Sequence, residues 1–561
     1  MPRKKSNKNI PLKPIKEVAA SAGIKNKFLE LYGTYKAKVS LQALRPSKKK
    51  GKYIAVTSIT PTPFGEGKTV TTIGLSMALN KLKKKTIACI PQPSLAGTLG
   101  AKGNGMGGGL ARVLTGEESD FCLTGDICAV GAAHNLCAAY LDNMLFRGNP
   151  LGIEQDSINW RRVVDINDRS LRNVNIGLGS KTDSVPRKSG FDITASSELM
   201  SILELAKDTK DMRERIGKIV LGFTKKGKAI TCGDLKIAGA MTALLKNALK
   251  PNLLQTGEHT PCFVHGGSYG NIALGGTSVI ADSTALSFSD FTVTETGFSA
   301  ETGAEKFFDI KCRASGLKPD AAVIVCTTRA LKIHSGDYDA TTSRIPREIY
   351  RENVSAVERG IANLEKHMEN LATFGVPVVV CVNRFAEDSE KEITAIKKRV
   401  LNRGISSVAV SNVWTEGSSG GLELAESVIA ACKTKTSFRF LYPVDIPVKD
   451  KIKRIAKTLY GAKEIVFSEE VDKTASSLRK SKLDMLPICI AKTHLSLSSS
   501  PKRKGRPHGF KFPVDSLTLA SGAGFLTAFS NNIRTMPGMA KSPNAVKIDI
   551  NGDGKITGLS S

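Results

Sequence analysis

Tryptophan occurs only twice in 561 residues, and aromatic side chains of all kinds make up 6% of the chain. No uninterrupted apolar stretch reaches membrane-spanning length, which excludes a transmembrane helix. The start, MPRKKSNKNIPLKPIKEVAASAGI, is basic, but no apolar core like that of a signal peptide follows it. It also lacks the Arg/Ser-rich amphipathic character of a mitochondrial presequence. The reading is therefore cytoplasmic, with the mitochondrion as the alternative. No pair of the 11 cysteines forms a CxxC. Several lie in apolar runs (TIACI, AVIVCT, VVVCVN), which predicts buried, reduced thiols rather than disulfides or a zinc site.

Acidic residues are also scarce. Against 81 Lys and Arg stand 52 Asp and Glu, a net charge of +29 and a pI of about 9.6. The basic runs are PRKK at the start, SKKKGK (Ser47 to Lys52), KLKKK (Lys81 to Lys85) and PKRKGR (Pro501 to Arg506). Such clusters suit nucleic acid. With few aromatics and no helix-turn-helix, RNA-recognition motif or zinc finger, a solvated basic surface that draws in polyanionic substrates is the favoured reading. The basic surface leaves nucleic acid open.

What is present is glycine and buried strand. The 51 glycines and 41% hydrophobic content fit an α/β protein, and the length predicts two to four domains. The apolar run from Tyr53 to Ile59 leads into TPTPFGEGKTVTT (Thr60 to Thr72) and then a helix predicted over Val70 to Leu82. Strand, glycine-punctuated loop, Lys-Thr pair and helix together form a phosphate cradle. In it Thr62, Pro63, Gly65, Glu66 and Gly67 shape the loop. Gly65 and Gly67 let backbone N–H groups approach an anion at the positive end of the helix. Lys68 can reach a terminal phosphate, and the Thr69 hydroxyl can ligate Mg²⁺. The usual spacing places Gly where this chain has Thr62, so a tight turn with a solvated lysine stands as the alternative. The default reading is an ATP- or GTP-handling enzyme.

A second buried strand, Thr86 to Ile90, runs into the glycine-rich PQPSLAGTLGAKGNGMGGGLARV, whose Gly107, Gly108 and Gly109 mark a close backbone approach to a ligand. A small-residue helix is predicted from Ala129 to Met144, helical segments from Ser196 to Ile219, a hairpin over LGFTKKGKAITC and a helix from Asp234 to Leu249. Buried strands resume at Ala321 to Cys326, Val376 to Val382 and Ser407 to Val410. Between the first two, Ile349, Val354, Val357, Ile361, Leu364, Met368 and Leu371 share one helical face. This alternation predicts an α/β fold: a P-loop-like nucleotide-binding domain with a mainly parallel sheet, plus two further α/β domains. The expected division is a discontinuous nucleotide domain (1–110 and 265–365), a second domain (111–264) and a C-terminal α/β domain (366–561). Ligands bind beyond the carboxyl ends of such strands. That places the loops carrying Asn383-Arg384-Phe385 and Asn412-Val413-Trp414 on a pocket. The final DINGDGKITG imitates a calcium loop, but Ser560 stands where the bidentate Glu belongs, so a polar hairpin turn is expected.

Taken together, the blocks TPTPFGEGKT, LTGDI, RVVDINDRSLRN, SGFDITASSELM, FVHGG, GAEKFFDIKC, LKPDAAVIVCTTRALKIHSG, GVPVVVCVNRF and LPICIAKTHLSLS resemble the formate–tetrahydrofolate ligase family over nearly the whole chain. The resemblance implies an enzyme that makes 10-formyltetrahydrofolate from formate, ATP and tetrahydrofolate by way of formyl phosphate. It also implies Mg²⁺, help from a monovalent cation, and a homo-oligomer. Gly65, Gly67, Lys68 and Thr69 would hold the triphosphate and Mg²⁺, with Ser94, Lys102 and Gly107 to Gly109 lining the same pocket. Lys68, Lys102 and Asp126 would be the catalytic set. Asp126 would orient the folate amine or accept its proton, against a helix-capping reading. Phe385 and Trp414 would sandwich the pterin.

The chain departs from the family at three positions. Proline replaces the arginine that opens the family's R-E/Q-P-S motif (here Pro91-Gln92-Pro93-Ser94), and with it a fork of donors for formate. Cys128 replaces the histidine after TGD-(I/F), and Leu274 that of the NIAHG block. Two outcomes follow: a working ligase in which another cation, such as Lys102 or a re-routed lysine, replaces the arginine, or an impaired relative that binds nucleotide or folate as a regulatory or scaffold subunit. A nucleic-acid-binding ATPase is a third reading, and it requires strongly salt-dependent binding.

Overall fold

The computed structural model describes residues 11–44, 51–100, 105–115, 121–180, 182–272, 274, 276–341, 345–403, 407–531, 533–554 and 556–558. Lys102, the PRKK run and Ser47 to Lys50 of SKKKGK lie outside the described residues.

Twelve strands form one central sheet. In chain order they are β1 (Leu29–Leu31), β2 (Ala37–Val39), β3 (Lys52–Ser58), β4 (Thr86–Ile90), β5 (Gly107–Gly108), β6 (Ala111–Leu114), β7 (Asn252–Thr256), β8 (Pro261–Val264), β9 (Phe291–Glu295), β10 (Ala321–Cys326), β11 (Val378–Asn383) and β12 (Val408–Ser411). Across the sheet they run β1-β2-β7-β8-β4-β9-β3-β10-β11-β12, with β6 joining β7 to β5. From β8 to β12 every neighbouring pair is parallel. The β1, β2, β5, β6 and β7 side is antiparallel. The fold is therefore α/β with a mainly parallel sheet, as the alternation of strands and helices predicts, and its strands come from all three expected segments.

The parallel strands are continuous apolar runs because both faces are covered. Successive side chains point to opposite faces. Tyr53, Ala55, Ala322, Ile324, Val380 and Val382 enter one core with Val357, Ile361, Leu364, Met368 and Leu371 of the helix Val354–Thr373. Ile54, Val56, Val323, Val325, Val379 and Cys381 enter another with Leu75, Leu79 and Leu424. The helix α1 (Lys68–Lys81) is buried at every position from Val70 to Leu79. That total burial explains why it carries no amphipathic stripe. A separate helical core gathers α2 (Asp126–Phe146) with Glu198–Leu205, Thr209–Gly217 and Ala238–Leu245. The expected hairpin is present as Val220–Phe223 with Ala229–Thr231. Asp549–Ile550 pairs with Ile556–Thr557 as a two-stranded hairpin, as the expected polar turn requires, and Ser560 lies outside the described residues. Among the described residues no helix is long and apolar enough to cross a membrane.

Parallel strands align their carboxyl ends. The segments after Ser58, Ile90, Glu295, Cys326, Asn383 and Ser411 therefore emerge along one edge of the sheet, where the candidate site residues lie.

Candidate functional site

Two glycines with positive φ shape the loop after β3, Gly65 at +71° and Gly67 at +82°. Gly67 is the N-cap of α1. A Cβ there would stand 2.3 Å from Asn383 Nδ2, and Asn383 Nδ2 donates to the Glu66 carbonyl at 3.1 Å. Only glycine fits both the backbone angle and that approach. The end of β11 is thereby fastened to the loop. Glu66 is buried; its Oε1 accepts from Thr62 N at 2.8 Å and Thr62 Oγ1 at 2.9 Å. Thr62, the departure from the usual spacing, thus stiffens the loop through a side chain.

Burial raises the Glu66 carboxyl to about 7, and Lys68 works against that rise. The Glu295 carboxyl at the tip of β9 is likewise raised by burial and opposed by Lys68 and by Thr69. Thr69 Oγ1 donates to Glu295 Oε2 at 2.8 Å. One ammonium thus stands among two buried carboxyls and the positive end of a helix. A hydroxyl and a carboxylate side by side are hard oxygen donors of the kind Mg²⁺ takes, alongside phosphate oxygens.

The aromatic loops meet different partners. Trp414, 41% exposed, lies against the glycine run: a Cβ on Gly108 would be 2.2 Å from its Cζ3, and one on Gly109 2.2 Å from its carbonyl oxygen. Leu110 N donates to that carbonyl at 2.9 Å. The glycines therefore make room for the indole. Phe385 carries the Arg329 guanidinium over its ring at 3.5 Å, and the same guanidinium faces Phe64 at 5.2 Å and Tyr350 at 5.8 Å. The buried Arg329 Nε has no hydrogen-bond partner among the described residues.

The remaining candidates follow β4 and open α2. Ser94 caps the short helix Leu95–Leu99, accepting from Gly97 N at 3.3 Å. Leu95 N donates to Asp165 Oδ2 at 2.9 Å, and burial raises that carboxyl to about 6. Gln92 Oε1, Asp165 Oδ1 and Asn167 Oδ1 are buried and have no partner among the described residues. Unpaired acceptors suit a cation or N–H groups, not an anion. Asp126 is buried at the start of α2; its Oδ1 meets Lys38 Nζ at 2.6 Å and its Oδ2 accepts from Asn252 Nδ2 at 2.7 Å. Gly125, not Asp126, is the N-cap. Leu274 is buried within the helical core. Cys128 is exposed, its Sγ 3.8 Å from that of Cys122.

The structure thus brings Gly67 to Asn383, Thr69 to Glu295 and Gly108 and Gly109 to Trp414, while Gly107 lies against Ala111 and Ile73. Glu295, Arg329 and Lys38 escape the sequence reading. Glu295 ends an alternating strand (FTVTE) that could have been read as a strand tip. Lys38, far from LTGD in sequence, carries no local signal.

A family model described as Formate--tetrahydrofolate ligase matches residues 4–560. The chain is 45% identical over 549 residues to the Formate--tetrahydrofolate ligase of Desulforamulus reducens, covering 97% of each. It is 48% identical over 552 residues to the protein of the same name from Roseiflexus castenholzii, covering 98% of each.

Proposed function

Because this chain belongs to the formate–tetrahydrofolate ligase family, we propose that it joins formate to tetrahydrofolate at the expense of ATP, giving 10-formyltetrahydrofolate. The observation that carries the reading is the meeting of the glycine-capped loop, the Thr69–Glu295 pair, Phe385 and Trp414 at one edge of the parallel sheet. The scaffold-subunit alternative is not favoured, since both relatives named as ligases match almost end to end.

Formate is a poor acyl donor because its leaving group would be hydroxide or oxide. A formate oxygen attacks the γ-phosphorus and ADP leaves. The folate amine then attacks the carbon of formyl phosphate, phosphate leaves with that oxygen, and the amine gives up its proton. Catalysis is mostly positioning and charge stabilisation. The amides of Gly65 and Gly67, with Lys68, hold the phosphates, and Thr62, Pro63 and Glu66 keep the loop in shape. Thr69 and Glu295 would hold Mg²⁺, which neutralises charge on the transferring phosphoryl group. The unpaired oxygens of Gln92, Asp165 and Asn167 suit a monovalent cation. Both Asp126 oxygens are already engaged, which supports orientation of the folate side rather than proton acceptance. Lys102 remains a candidate for the acyl group, and Arg329 is a cation beside Phe385 that the pterin's polar edge or an anionic substrate could use. Phe385 and Trp414 flank the pterin. Ser94 and Gly107 to Gly109 complete the wall. A homo-oligomer, to be tested by light scattering, and a cytoplasmic setting that keeps the thiols reduced belong to the same proposal.

The test is ADP release. It should require both formate and tetrahydrofolate for steady turnover; ATP binding without formate-dependent turnover would refute the ligase reading.

A further inference from the structure

Nine of the eleven cysteines are buried, and only Cys122 and Cys128 are exposed. These two are also neighbours, with Sγ atoms 3.8 Å apart. The chain between them is held on both sides. Gly125 N donates to the Cys122 carbonyl at 2.7 Å. Gly125, with φ of +88°, starts α2, whose first turn carries Cys128. Thr124 Oγ1 donates to Asn252 Oδ1 at 2.6 Å, and Asp126 is fixed by Lys38 and Asn252. The thiols are therefore brought together by a fixed turn and not by chance in a long loop.

A second pair gives the contrast. Cys137 and Cys232 stand 3.6 Å apart, yet both are buried in the helical core. Proximity alone does not make a redox site; an oxidant must also reach the sulfur. Only the first pair meets both conditions. Its place links it to the Ser94 corner: burial first, then Cys122 and Asp165, raise the Cys128 thiol, so its oxidation is slow, and Asp165 is the carboxylate that accepts from Leu95 N beside the Ser94 cap.

We propose that Cys122 and Cys128 form a reversible disulfide that closes the Ser94 corner to formate transfer. The oxidant is a small disulfide of the glutathione class. One protein thiolate attacks a sulfur of that disulfide and expels a small thiolate, leaving a mixed disulfide. The second protein thiol, losing its proton, attacks the protein-side sulfur of that bond and expels the other small thiolate. Two protein thiols are oxidised and one external disulfide is reduced to two thiols. The sulfurs close from 3.8 Å to about 2.05 Å, which pulls the start of α2 onto the turn before it. The loss of turnover rests on the ligase reading; the formation of the bond does not.

The full-length protein is incubated with oxidised glutathione, its free thiols are alkylated under denaturing conditions, and peptides are weighed. The expected result is a Cys122–Cys128 cross-link two hydrogens lighter than the dithiol, with Cys137 and Cys232 alkylated. Formate-dependent ADP release should fall ~10²-fold, as displaced reacting groups do, and return with dithiothreitol. Cys122→Ser should keep its turnover under the same oxidant. Alkylation of both Cys122 and Cys128, a stable glutathione adduct in place of the cross-link, or a cross-link with unchanged turnover would each overturn the proposal. If the reduced protein shows no formate-dependent turnover, the ligase reading fails by itself, and the disulfide is judged by mass alone.

Discussion

The phosphate-loop corner and the Ser94 corner lie on the same sheet edge but have been treated differently. In the first, three residues of the loop have definite partners: Gly67 lies against Asn383, Thr69 donates to Glu295, and Glu66 accepts from Thr62. In the second, where the resemblance to the family implies an arginine and two histidines, this chain carries Pro91, Cys128 and Leu274. Leu274 lies in the apolar core, Cys128 lies against Cys122, and three buried oxygens have no partner among the described residues. A scaffold can therefore persist while the charge at one of its corners is rewritten, because backbone geometry and pocket chemistry rest on different residues.

The comparison predicts unequal responses. Lys68→Ala should have the largest effect, lowering the rate of ADP formation by ~10²–10³ or more, since it removes the cation aimed at the transferring group; a change below tenfold would mean the phosphates sit elsewhere. Gly67→Ala should lower both stability and turnover. Its Cβ would meet Asn383 Nδ2 and occupy an αL position, a strain of about 1–3 kcal/mol; pairing it with Asn383→Ala should recover only the steric part, as read by thermal melting. Pro91→Arg should act in the other direction and raise kcat/KM for formate about tenfold or more, with KM for ATP unchanged. An unchanged formate response would show that another cation already fills the gap.

The smallest effect on turnover is expected at a carboxyl that bonds to the C-terminal segment. Glu198, raised to about 7 by burial, accepts from Gly522 N and Ala523 N. Its folded form holds a proton that the unfolded chain releases at ordinary carboxylate pH. The folded state therefore binds more protons between about 4.5 and about 7, and stability falls as pH rises through that window. Glu198→Gln keeps an acceptor oxygen and should flatten that fall in denaturant titrations while leaving formate turnover alone. Glu66→Gln should flatten it too, but should also change ATP affinity. If both variants behave alike in the turnover assay, the two regions are not functionally distinct.

Much of the fold was readable because parallel strands buried on both faces leave continuous apolar runs. Thr86–Ile90 and Ala321–Cys326 match the expected bounds, and β3, β11 and β12 differ by one or two residues. β9 and the β7–β8 pair were missed, because Thr292, Thr294, Asn252 and Gln255 break the apolar runs although they are buried. The helix predicted over Asp234 to Leu249 is shorter, Ala238–Leu245, since Lys236 adopts positive φ ahead of it. At the site, glycine spacing pointed to the loop after β3 and rarity to Trp414, while Phe385 was singled out by the family resemblance and its place after a strand. The Arg329 stack on Phe385 and the Lys38–Asp126 pair were not, because each joins residues distant in sequence by side chains alone.

The central claim is that one sheet edge passes a formyl group from a nucleotide's phosphate to a reduced folate. Oxygen-18 formate tests it most directly. If formate first attacks the γ-phosphorus, each turnover leaves one labelled oxygen in the phosphate released; phosphate without label, with 10-formyltetrahydrofolate still being made, would contradict the account.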